Sequence, residues 1–301
     1  AFAADGSTAT PSLANSFAPE IYTGNGGTQA ITTGFKPDLV WIKSRSSASW
    51  ANFLQDSVRG VANFLISNST GAQGTTIPNI VGSFDTNGFS VLGNGNSNNN
   101  NDTYVSWNWK AGGLPSINTD GTTTSVVSAN KAAGFSIVKY TGNSTNGATI
   151  AHGLDATPDL AFFKKYTPTG EWWSVYSGPN GPTGLLYLDL ADAFTTTSSR
   201  FNNTSPTNTL FTLGTSSAIN DSNNEHIAYC FTSKPGYSKV GSYTGSNSPI
   251  TVTTGFEPSF LMVKRTNASG SWIIIDSARG DGSNAYALFP NLSASESNGW
   301  N

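Results

Sequence analysis

Charge is the first thing this sequence lacks. Only 11% of its 301 residues are Asp, Glu, Lys or Arg, against about 25% in an ordinary soluble domain, so the surface must be neutral and rich in hydroxyls and amides. The formal charge of −3 and the fifteen scattered basic residues argue against nucleic acid as a partner, because phosphate binding draws on clustered Lys and Arg. Cysteine is nearly missing too: Cys230 stands alone, cannot close an intrachain disulfide, and reads as an inert core residue. No apolar run approaches the roughly 20 residues of a membrane helix, so no membrane insertion is expected. The N-terminus has no basic stretch leading into an apolar one, and Ala1 to Ala4 read as the point where a longer chain was cut.

The residues of common catalytic centres are just as sparse. There is no HExxH, paired CxxC, GxSxG or phosphate-loop spacing. The five glutamates, Glu20, Glu171, Glu225, Glu257 and Glu296, share no context of the kind a pair of glycosidase carboxylates needs. His152 and His226 are the only histidines; one precedes a turn glycine and the other sits in an alternating strand, so hydrogen-bonding roles are expected. Asp85, Asp102, Asp120 and Asp221 lie in Asn- and Gly-rich loops without the alternating acidic spacing of a calcium loop, and read as solvated turns. No cofactor or metal is expected.

Aromatic and turn residues are what the chain has in abundance. Eight Trp, ten Tyr and seventeen Phe demand a core and exclude disorder, while the shortage of helix formers favours an all-β fold. One stretch, Gly34-Phe35-Lys36-Pro37-Asp38-Leu39-Val40-Trp41-Ile42-Lys43, recurs as Gly153–Lys164 and as Gly255–Lys264, each with a lysine six positions after its proline. Tyr22-Thr23-Gly24-Asn25, Tyr140-Thr141-Gly142-Asn143 and Tyr243-Thr244-Gly245-Ser246 precede the three copies. Downstream, Asp56-Ser57-Val58-Arg59-Gly60 returns as Asp276-Ser277-Ala278-Arg279-Gly280, and Tyr104–Trp109 has a counterpart in His226–Phe231. A unit of about 100 residues is too long for a solenoid repeat and suits a small domain in tandem.

The expected organisation is an N-terminal arm over 1–19, a β-sandwich over 20–113, a linker over 114–133 with one strand at Ser125–Ser128, a second sandwich over 134–235, and a third over 236–301. Strands are expected at Leu39–Ile42, Ala51–Leu54 and Asn63–Ile66. Val81–Phe84 and Gly88–Leu92 read as a tight hairpin around Asp85-Thr86-Asn87. A second hairpin is expected to join Ser90–Leu92 to Thr103–Trp109 through the tip Asn94–Asp102. Thr103–Trp109 alternates and should have one dry and one wet face. The third unit stops before any match to Gly88–Leu92 or Tyr104–Trp109, so it is incomplete. Chain beyond Asn301 is expected to complete it, strand addition from another subunit or from the N-terminal arm being the other route.

These motifs, together with Gly88-Phe89 and the run from Thr103 to Gly113, resemble a domain of tail-fibre and other virion proteins of marine and related tailed bacteriophages. The match covers nearly all of the first unit, the surviving half of the third, and a divergent second copy. The resemblance implies a non-enzymatic structural or adhesive virion component in an oligomer, with copies of itself and other virion proteins as partners, and brings no catalytic residues. The same modules also suit a secreted, self-assembling microbial filament or adhesin. Asp56/Arg59 and Asp276/Arg279 are expected to brace turns. Trp41, Trp107 and Trp109 are expected in the core. Trp50, Trp172, Trp173 and Trp272 border polar loops and are the candidates to offer a flat face to a cell-surface carbohydrate.

Overall fold

The computed structural model describes residues 13, 15–75, 80–93, 95–280 and 286–298. Residues 1–12 and 14 of the expected arm, including Ala1–Ala4, and Asn94 at the expected tip lie outside them. The protein is nearly all β, with 38% of residues in strands of several antiparallel sheets, none closed into a barrel.

The first unit is a two-layer sandwich. Its larger sheet holds β1 (Phe17–Thr23), β3 (Leu39–Ser44), β4 (Asn52–Asp56), β5 (Phe64–Ile66) and β8 (Thr103–Trp109), in the order β1-β8-β3-β4-β5. Its smaller sheet holds β2 (Gln29–Thr32), β6 (Val81–Asp85) and β7 (Gly88–Val91), in the order β2-β7-β6. Ile31, Val81, Phe89 and Val91 from the small sheet close over Val40, Ile42, Phe53 and Tyr104 from the large one.

The second unit repeats this plan. It comprises β9 (Ser116–Asn118), β10 (Ser125–Asn130), β11 (Phe135–Thr141), β12 (Ala148–Ala151), β13 (Leu160–Lys165), β14 (Ser174–Ser177), β15 (Gly184–Tyr187), β16 (Thr195–Thr196), β17 (Leu210–Leu213) and β18 (Glu225–Phe231). The large sheet runs β16-β15-β14-β13-β18-β11-β10-β9, and β12 pairs with β17 above it. Thus β11, β18, β13 and β14 reproduce the neighbours β1, β8, β3 and β4. The third unit contributes β19 (Phe260–Val263) paired with β20 (Ile273–Asp276), and β21 (Tyr286–Ala287) paired with β22 (Ser297–Asn298).

Local chemistry explains the Tyr-Thr-Gly-Asn motif. Tyr22 and Tyr140 stack on Tyr104 and His226 at 5.2 Å. Their hydroxyls donate to the Ser97 and Ile219 carbonyls at 2.7 Å, in two one-turn helices, α1 (Gly95–Asn98) and α2 (Ser217–Asn220). The Asn98 and Asn220 side chains then accept from the Asn25 and Asn143 amides. Glycine is needed between, because a Cβ on Gly24 would stand 2.1 Å from the Asn99 carbonyl oxygen, and one on Gly142 2.3 Å from that of Asp221.

Three expectations change in the structure. The segment 114–133 is not a free linker: β10 and β9 extend the second unit's large sheet, with the β10–β11 hairpin turning at Gly134 (φ 68°) and Val127 buried beneath it. The expected hairpin from Ser90–Leu92 to Thr103–Trp109 does not form, since β7 and β8 belong to different sheets and α1 carries the chain between layers. Nor does β8 have a wet face: Tyr104, Ser106 and Asn108 are as buried as Val105 and Trp107, because the small sheet covers one side and the neighbouring units the other. The Val81–Asp85/Gly88–Val91 hairpin forms where expected.

Beyond the two cores inside units 1 and 2, a third core lies between the units. Trp41, Trp107 and Trp109 of the first unit, Phe162, Trp173 and Tyr229 of the second, and Trp272, Ile274 and Leu288 of the third make one continuous cluster. The inner faces of all three larger sheets therefore meet in a common aromatic interior.

Candidate functional site

The lysine that ends each copy of the repeated strand is a staple between units. Lys43 donates to the carbonyls of Trp50 in its own unit and Ser293 in the third, at 2.7 and 2.8 Å. Lys164 does the same with Glu171 and with Ser69 of the first unit, and Lys264 with Gly270 and with Ala191 of the second. The contacts run from unit 1 to 3, from 3 to 2 and from 2 to 1, which closes a ring with approximate threefold symmetry. Backbone bonds repeat the pattern: the amides of Glu296, Phe194 and Gln73 donate to the carbonyls of Arg45, Thr266 and Tyr166, each two residues past the lysine. Burial pulls Lys43 and Lys164 down to about 8.

The Asp–Arg pairs brace turns as expected and also join units. Asp56 accepts from the Arg59 amide and guanidinium at 2.8 and 2.7 Å, and from the Tyr229 hydroxyl of the second unit at 2.7 Å. Burial opposes the charge on Arg59, but Asp56 and Tyr229 beside it more than restore it and hold its pKa above the ordinary value. Asp276 holds Arg279 in the same geometry and accepts from Trp107 Nε1 of the first unit at 2.8 Å. The corresponding position of the second unit is Ser177, opposite Leu160 as Asp56 is opposite Leu39. There the seam would face a β8-type strand of the third unit, which the described residues lack.

Several other titratable groups also serve the structure. His152 accepts from the Leu154 amide across the turn and His226 from that of Asp221, and burial lowers both to about 4. Cys230 is buried and pushed up to about 12. Asp102 accepts from Asn99, Trp50 and Ser46, and Asp221 from Lys165 and Asn224. Among the described residues no three His, Cys, Asp or Glu side chains cluster to hold a metal ion.

The four candidate tryptophans separate into two kinds. Trp173 and Trp272 are buried in the seam, donating through Nε1 to the Ile66 and Tyr187 carbonyls of the preceding unit at 3.0 and 2.7 Å, so neither offers a face to a sugar. Trp50 is half-buried, bonded to Asp102 and packed on Gly95, where a Cβ would stand 2.8 Å from its ring. Trp172 is 45% exposed, edge-on to Tyr187 at 6.3 Å, with Glu171 next to it held by the Ser217 hydroxyl at 3.1 Å. The structure does not bring the four rings together. In the first unit the position of Trp173 and Trp272 is held by Asn52, whose backbone N–H donates to the Asn68 side chain as those of Trp173 and Trp272 donate to Asp189 and Asn291, and whose own side chain donates to the Phe289 and Leu292 carbonyls. The threefold recurrence of the lysine was the sequence signal that could have revealed this seam.

A separate cleft of about 840 Å³ opens between units 1 and 2, lined by Lys36, Lys110 and Lys131 around Val61, Phe84 and Leu114. Lys131 is engaged by Asp155. No curated protein and no solved structure matches the chain. Residues 13–301 match the model of a family described as a domain of unknown function, DUF7483, and the chain belongs to that family.

Proposed function

We propose that the protein is a non-enzymatic structural and adhesive component of a virion, a segment of a phage tail or surface fibre that attaches to a host-surface glycan. The observation that carries this reading is the commitment of the chain's charged pairs and histidines to joining and bracing its units: Asp56–Arg59 and Asp276–Arg279 are buried ion pairs, and both histidines are buried and held neutral. A rigid body with an amide- and hydroxyl-rich surface suits building and adhesion better than turnover. The likeness of the repeats to fibre domains supports the virion setting. On the surface, Trp172 beside Tyr187, Glu171 and Ser217 is the sugar-facing candidate, since a flat ring stacks on a pyranose while neighbouring polar groups direct it.

Glycan-array binding by the intact chain, with no product released from the bound glycans, is the expected result, and Trp172→Ala should lower the signal at least about tenfold while leaving folding intact. Release of oligosaccharides, or binding untouched by Trp172→Ala, would count against the reading.

A further inference from the structure

The third unit keeps the sequence for contacts that no described residue makes with it. Tyr243-Thr244-Gly245-Ser246 retains the motif that in units 1 and 2 receives a one-turn helix and a β8-type strand, yet Tyr243 is 53% exposed and a Cβ on Gly245 would meet nothing within 4 Å. Val252, three residues before its turn glycine as Ile31 and Ile150 are before theirs, is 49% exposed, whereas those two are buried on strands that pair with β7 and β17. On β19, Leu261 is 46% exposed where Val40 and Ala161 are buried. Among the described residues only β20 pairs with β19, whereas β3 and β13 are flanked on both edges.

What the described residues of the third unit lack is contiguous in the other units. Gly88–Trp109 runs β7, α1, β8, and Leu210–Phe231 runs β17, α2, β18, equal in length. Each crosses from the small sheet to the large one and supplies both partners at once. We infer that the third unit is a docking site for one such segment of a second polypeptide, of the β7–α1–β8 pattern. It would enter antiparallel between residues 243–246 and β19, as β8 enters between β1 and β3. A second folded copy does not fit, because β8 and β18 are each paired on both edges and buried on both faces. Main-chain bonds along two free edges and apolar side chains on alternate positions are the chemistry of strand addition.

The inference is independent of glycan binding, and its test uses the intact chain with a synthetic peptide of residues 88–113 and a scrambled control. Calorimetry should show one peptide per chain, and hydrogen exchange should show new protection over 243–263 and none in units 1 and 2. Gly245→Ala, which leaves the unliganded fold unchanged because its Cβ points into open space, should weaken the peptide at least about tenfold by setting a methyl against the incoming backbone. Absence of binding, protection elsewhere, undiminished binding by Gly245→Ala, or protection of 243–263 by self-association without peptide would each overturn it.

Discussion

Units 1 and 2 and unit 3 are built from the same repeated strand, and they differ in how many sides of it are covered. β3 and β13 are flanked on both edges and packed on both faces, so every residue of β3 is buried. Among the described residues β19 has one neighbour, and its inner residues, Phe260 and Met262, pack into the common core. The difference shows that the inner face of the repeat is satisfied by its neighbours in the ring, and the outer face by its own late strands. The two requirements are separable.

Substitutions in the ring should have the largest effects and should not respect unit boundaries. Asp56→Asn leaves the buried Arg59 guanidinium without its counter-charge and removes an acceptor from the next unit, at a cost of about 3–5 kcal/mol, and Asp276→Asn should cost less because Arg279 keeps Glu296 at 2.9 Å. Trp173→Ala should lose a similar amount, about 3–5 kcal/mol, through its cavity. Denaturant unfolding checks both, and a loss confined to one unit's transition would break the comparison.

Acid should act next, and through unit 2. His152 and His226 are held at about 4 by burial, below the ordinary 6.5, so they contribute stability present above pH 6.5 and lost as pH falls toward 4, up to about 3 kcal/mol for each. His226→Tyr, which places the first unit's residue at that position, should flatten the profile of unfolding midpoint against pH between 6.5 and 4.

The glycine of the repeated tyrosine motif gives a smaller and sharper contrast. Gly24→Ala and Gly142→Ala drive a methyl into a backbone carbonyl and should cost about 1–3 kcal/mol, whereas Gly245→Ala should leave the melting temperature of the free chain unchanged. Smallest of all, Trp172→Ala should stay within about 0.5 kcal/mol, in contrast to its neighbour Trp173.

How much of this was legible follows from the range of each signal. The proline-to-lysine strand, the β6–β7 hairpin and the Asp–Arg turn brace are local, and the sequence pattern places them where the structure has them. The seam is not local: Tyr229 reaches Asp56 across 173 positions and Trp107 reaches Asp276 across 169, and no periodicity records such a partner. Trp50 and Trp272 are alike in residue type but not in position, since the shared role is carried by the backbone carbonyls of Trp50, Glu171 and Gly270, which accept from the staple lysines. Residue identity is a poor guide where the main chain makes the contact. The Asn-rich stretch reads as a loose tip because its apolar content is low, yet hydrogen bonds to Ser97 and Asn98 fold it into a buried turn.

The ring itself is tested most directly by equilibrium unfolding of the intact chain in guanidinium, followed segment by segment by hydrogen exchange. The shared aromatic interior predicts that β3 and β8 of the first unit lose protection at the same denaturant concentration as β13 and β18 of the second. Two well-separated transitions, one for each sandwich, would contradict it.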